Sequence, residues 1–115
     1  MKGNVIVNKT FDFAVSIVRL CEWLRVARKE FVMSNQVLRS GTSIGANVEE
    51  AVGAVSRPDF INKLHIAYKE ARETKYWIRL LIATNYLPPD ETSRILRDNE
   101  EILRIIGSIL ISSKK

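Results

Sequence analysis

Apolar residues in this chain return at alternating spacings of four and three, in four long segments separated by three short breaks. That rhythm follows the 3.6-residue turn, so each segment reads as a helix with a buried face. The first is expected from about Thr10 to Lys29, with Phe13, Ile17, Leu20, Leu24 and Ala27 on one row. Phe11, Ala14, Val18 and Cys21 form a second apolar row beside it, and the polar line through Asp12, Ser16 and Arg19 also carries Trp23. A helix this apolar around its circumference is usually covered on more than one side, so a further partner surface is expected there.

The second segment is expected from about Ser34, as N-cap, to Gly53, with Val37, Gly41, Ile44, Val48, Ala51 and Val55 continuing the repeat. Its middle, Ser40-Gly41-Thr42-Ser43-Ile44-Gly45-Ala46, holds two glycines. Each costs a helix interior about 1 kcal/mol against alanine. Close approach of a neighbouring helix would offset that cost; a looped-out glycine segment is the rival reading. Ser56-Arg57-Pro58-Asp59 is a strong start signal for the third segment, with Ser56 capping, Pro58 in the first turn and Asp59 near the positive dipole end. Phe60, Leu64, Ala67, Ala71, Thr74, Ile78 and Leu81 then hold the repeat to about Asn85.

Leu87-Pro88-Pro89-Asp90-Glu91 separates the third helix from the fourth, which is expected from about Pro89 to Ile111 with a frayed tail beyond. Ile95, Asn99, Ile102, Ile106 and Ile109 share one row, and Arg94/Asp98, Arg97/Glu101 and Glu100/Arg104 are spaced as i,i+4 pairs. Short connections force antiparallel neighbours. Residues 1–115 therefore read as one all-α domain, an antiparallel up-down-up-down four-helix bundle.

Few chemistries survive this sequence. The chain has one histidine, His65, and one cysteine, Cys21, so neither a metal cluster nor an intrachain disulfide is expected. The Glu-x-x-His pair of di-iron bundles does not occur. Gly41-Thr42-Ser43-Ile44-Gly45 lacks the Gly-Lys-Ser/Thr ending of a phosphate loop. No apolar run approaches the ~18 residues that span a bilayer, and the start lacks the h-region of a signal peptide. A lone cysteine among apolar neighbours reads as a buried, inert thiol in a reducing compartment, with the cytoplasm as default. Glu49, Glu50, Glu70 and Glu73 can be assembled into a general acid/base quartet, but ordinary salt-bridged helix surface is the better reading. No catalytic residue, cofactor or metal is expected.

The formal charge of +5 tilts the reading toward polyanions. His65, Lys69, Arg72, Tyr76 and Arg79 follow spacings of four and three on the back of the third helix, with Lys75 beside them. Such a basic line with an interleaved ring can follow a phosphate backbone while the ring stacks on a base. Lys69, Arg72, Lys75 and Arg79 are the candidate nucleic-acid contacts, with Arg39 a weaker addition; a solvated helix face is the alternative. Trp23, Trp77 and Tyr76 lie off the core rows and are candidates for a homo-oligomer interface. The two tryptophans can instead fill a broad bundle core.

Gln36-Val37-Leu38-Arg39-Ser40 followed by Ser43-Ile44-Gly45-Ala46-Asn47-Val48-Glu49-Glu50-Ala51 resembles the second-helix motif of the four-helix-bundle proteins encoded in 23S rRNA intervening sequences, often labelled ribosomal-protein-like. Asp59-Phe60-Ile61, Leu64-His65-Ile66-Ala67, Lys69-Glu70-Ala71-Arg72-Glu73-Thr74 and Tyr76-Trp77 are similar to the same family. The resemblance implies an antiparallel bundle, commonly a ring-like homopentamer, without enzymatic activity. That family also includes the accessory protein of diversity-generating retroelements, which pairs with a reverse transcriptase and contacts nucleic acid through a basic surface. An adaptor that recruits a protein partner without touching nucleic acid is therefore the alternative function. By position, Arg39, Ser43, Asn47 and Glu50 match the second-helix motif and Glu70 and Glu73 the third, in structural or interfacial roles, with Asn47 and Glu50 expected to bond between helices. Ala51 departs from the glycine of many members, and the first connection is short.

Overall fold

Four helices account for nearly all of the chain in a computed structural model that describes residues 2–114: α1 Lys2–Ala27, α2 Val32–Val52, α3 Arg57–Ala83 and α4 Pro89–Ser113. Each helix touches its neighbours in the cycle α1-α2-α3-α4, α1 meeting α4 more lightly than α2, and among the described residues the backbones of no diagonal pair come together. The result is an up-down-up-down bundle with extents of 45 × 21 × 19 Å. The four-three rows supply its core: Phe13, Ile17 and Leu24; Val37, Ile44 and Val48; Leu64, Ala67, Ala71, Ile78 and Leu81; Ile102 and Ile106. In α1 the row shifts slightly from expectation, because Cys21 is buried while Leu20 is half-buried and Ala27 exposed.

Local chemistry corrects several boundaries. The first helix starts at Lys2, not near Thr10. Ile6 and Thr10 extend the row of Phe13 and Ile17 by one step each, and both are buried. Thr10 sits mid-helix with its hydroxyl donating back to the carbonyl of Ile6 at 2.8 Å. The second helix starts at Val32, and Ser34 is not its cap. The buried Glu30 carboxylate accepts from the backbone N–H groups of Val32, Met33 and Ser34, the last at 2.7 Å. Three of the four orphan donors of the helix end are thus satisfied by one anion at the positive pole. Val55 lies beyond the end of α2 and is 96% exposed, so it does not continue the apolar row.

The glycine segment of α2 stays helical, which excludes the looped-out reading. A Cβ on Gly41 would stand 2.8 Å from Cγ2 of Ile17, and one on Gly45 would stand 3.2 Å from the carbonyl oxygen of Thr10. Both glycines therefore mark a close approach of α1 and α2. The third helix begins as its sequence predicts, with Ser56 Oγ accepting from Asp59 N. It ends at Ala83, and Asn85 then takes φ of 67°, a conformation Asn tolerates just past a helix. The fourth helix runs to Ser113, past the expected Ile111, and an Arg57 guanidinium N–H donates to the Ser113 carbonyl. Instead of i,i+4 partners, Glu100 pairs with Lys75 of α3 and Glu101 with Lys9 of α1.

Candidate nucleic-acid interface

The back of α3 is exposed as the spacing predicts: His65, Lys69, Arg72, Tyr76 and Arg79 all face outward, with Lys75 half-buried beside them. The antiparallel register of α3 and α4 turns part of this stripe into a groove. Lys75 lies across from Glu100, and the Tyr68 ring lies against Gly107, 3.5 Å from where a Cβ would stand. The groove, about 670 Å³, is lined by Tyr68, Arg72, Lys75, Tyr76 and Arg79 of α3 and by Glu100, Leu103 and Arg104 of α4. Lys75 and Glu100 neutralise one another, whereas Arg72, Arg79 and Arg104 make no ion pair among the described residues. The groove therefore has a net positive lining built from two helices. Lys69 stands on the exposed stripe outside it.

Arg39 lies elsewhere, at the α2–α3 seam. Its guanidinium donates to Glu70 Oε2 at 2.9 Å and also pairs with Glu73. Glu70 is only 6% exposed, so this cation compensates a carboxylate that would be costly to bury alone. Glu73 accepts from Trp77 Nε1 at 3.0 Å. That bond, then Arg39, holds the Glu73 carboxyl below its ordinary pKa, against the opposing effect of desolvation. Trp77 is half-buried, and its ring meets that of Tyr76 edge-on, with centroids 5.3 Å apart and planes at 74°. A connected chain, Arg39–Glu73–Trp77–Tyr76, thus runs from the α2–α3 seam to the rim of the groove.

The other motif residues have structural roles. Asn47 bonds within its own helix, Nδ2 donating to the Ser43 carbonyl at 2.9 Å and the Ser43 hydroxyl at 3.0 Å, rather than between helices as expected. Glu50 does bond between helices, to Lys63 of α3 at 2.9 Å. Glu49, Glu50, Glu70 and Glu73 do not converge into an acid/base quartet: Glu50 is tied to Lys63, and Glu70 and Glu73 to Arg39. No group of three or more His, Cys, Asp or Glu among the described residues is placed to hold a metal ion. No helix of the structure is long and apolar enough to cross a membrane. On α1, Phe11, Val15, Val18 and Val26 line one uncovered face, and Trp23 is 41% exposed beside it.

Arg104 joins the candidate contacts only through the structure. Within α4 it reads as the i,i+4 partner of Glu100, and only the α3–α4 register shows that Glu100 is taken by Lys75. No spacing within one helix announces this, because Lys75 and Glu100 meet only across the α3–α4 seam.

An all-α bundle with a basic groove on one side and an apolar uncovered helix face on another defines the class. The chain belongs to the family of 23S rRNA-intervening sequence proteins, whose pattern it matches over residues 2–108. Among solved structures it is similar to a protein of unknown function from the S23 ribosomal protein family of Bacteroides thetaiotaomicron, with 55% identity, a TM-score of 0.93, and coverage of 96% of this chain and 98% of that one. No curated protein matches the chain. Neither the family nor the neighbour carries an indication of catalysis.

Proposed function

We propose that this protein is a non-enzymatic, oligomeric RNA-associating bundle that takes the phosphate backbone of RNA, free or in a nucleoprotein complex, along the α3–α4 groove. The groove itself carries the reading: Arg72, Arg79 and Arg104 line one depression without carboxylate partners among the described residues. Guanidinium groups bind phosphate through paired, directional hydrogen bonds. Lys69 extends the basic track along α3. Lys75 and Arg39 already have partners, so phosphate must compete for them. A reducing, cytoplasmic setting fits the lone buried thiol.

Anisotropy titration of labelled structured RNA at low and near-physiological salt tests this reading. Three phosphate contacts give a log–log salt slope of roughly −2 to −3. Arg72→Glu combined with Arg79→Glu is expected to abolish most of the salt-dependent binding while leaving the helical spectrum unchanged. Undiminished binding by that variant would remove the groove from consideration.

The uncovered α1 face favours a second reading, in which the bundle works through protein contacts, with further copies of itself or with a partner enzyme such as a reverse transcriptase. Binding that survives high salt and is lost on Trp23→Ala would favour it.

A further inference from the structure

The basic groove has a feature that phosphate binding alone does not require. Tyr76 stands at its rim 55% exposed, yet its ring is braced from behind. Trp77 meets it edge-on; Trp77 is held by its N–H bond to Glu73, and Glu73 by Arg39. An unsupported surface tyrosine would lose rotamer freedom on stacking against a ligand, and this one has surrendered part of that freedom in advance. Tyr68, two turns earlier and roughly 12 Å along the helix axis, lines the same groove half-buried over Gly107.

We infer that the α3–α4 groove is a single-strand site, in which an unpaired base stacks on the Tyr76 ring while the flanking phosphates lie on Arg72, Arg79 and Arg104. This rests on the nucleic-acid reading above and narrows it. Adjacent helix axes stand about 8–10 Å apart, so the floor of the furrow between α3 and α4 takes one phosphate backbone rather than both strands of a duplex. A duplex also hides its base faces within the stack, where an exposed ring cannot reach them; an unpaired base offers its whole face. Glu100, the one acidic residue of the lining, is neutralised by Lys75 and so does not repel the strand. Arg39, Glu73 and Trp77 are positioning residues: they orient the ring and touch no nucleotide.

The test uses the full chain and three labelled probes: a 12-nucleotide oligoadenosine RNA, an RNA duplex of equal length, and an abasic strand of equal charge. Wild-type protein is expected to prefer the single strand over both others. Tyr76→Ala is expected to weaken single-strand binding roughly five- to hundredfold and to leave the abasic strand unaffected, whereas Tyr76→Phe, which keeps the ring, binds like wild type. Equal affinity of wild type for duplex and single strand, or Tyr76→Ala binding like wild type, would overturn the stacking inference. If Arg72→Glu/Arg79→Glu still abolished binding in that case, the phosphate groove would stand without it. Wild type that binds none of the probes overturns both. Loss of oligomer mass in Tyr76→Ala, followed by light scattering, would place the ring in a subunit contact and likewise overturn the inference.

Discussion

Cys21 shows how burial decides the chemistry of a single group here. It is 1% exposed, and its Sγ donates to the Ser34 carbonyl at 3.3 Å, so it joins α1 to the start of α2. Burial pushes the thiol up to about 11 from 9.0; Arg25 opposes the shift and Glu30 adds to it. The folded state therefore holds this proton more tightly than the unfolded chain does. The resulting stabilisation is fully present below pH 9 and is lost as pH rises through the interval to about 11. Two measurements check this. Native protein at pH 8 should react with a thiol reagent far more slowly than urea-unfolded protein. The fall in melting temperature between pH 9 and 11 should be steeper in wild type than in Cys21→Ala, and the difference between the two reports the thiol. Rapid labelling of the native protein at pH 8 would show that the site is open.

At the scale of the helix, the α1–α2 seam sets two effects against each other. Alanine at position 41 gains about 1 kcal/mol of helix propensity over glycine. Its Cβ would meet Ile17 at 2.8 Å, and Ile17 is fully buried and β-branched, with one strongly preferred rotamer in a helix. Overpacking of this kind costs about 1–3 kcal/mol, so Gly41→Ala is expected to destabilise by about 1 kcal/mol net in urea titration. In an Ile17→Ala background both Cγ obstructions are gone and only the Cβ contact at 3.3 Å remains, so the same substitution should cost clearly less than in wild type. A higher urea midpoint for Gly41→Ala in the wild-type background would mean that the seam is looser than this. The same seam shows what a sequence can and cannot disclose. Gly41 and Gly45 signal close approach because their cost is local, and Ser56-Pro58-Asp59 signals a helix start because cap and helix are neighbours in the chain. The start of α2 is hidden because its cap is Glu30, a long side chain curling back from the connection, and no fixed spacing announces such a cap. The start of α1 is hidden because the apolar row is read from Phe13 onward, and only the burial of Ile6 and Thr10 shows that it extends further back. The basic stripe on α3 is a one-helix pattern and is legible; the groove is not, since Arg104 joins it only through the register of two helices.

At the scale of the molecule, the bundle separates two surfaces of opposite character. Since α1 touches α2 and α4 but not α3, its outward face points away from the groove between α3 and α4. Copies joined through α1 would leave every groove open to solvent, and several grooves on one particle would multiply the affinity of each for a long strand. Phe11 and Val18, 59% and 49% exposed, sit centrally on the α1 face and make few demands on the core. Phe11→Glu with Val18→Glu should therefore dissociate an assembled protein to the 13.1 kDa chain without loss of helix. Light scattering reads the mass, and circular dichroism confirms the fold. Binding of short oligonucleotides should persist in the dissociated variant, while long RNA should bind far more weakly, because only the long probe can engage several grooves at once. If wild type itself runs at 13.1 kDa, the α1 face is not a self-contact. Its exposed apolar residues then argue for a different protein seated there, and the groove must act as a single, weak site.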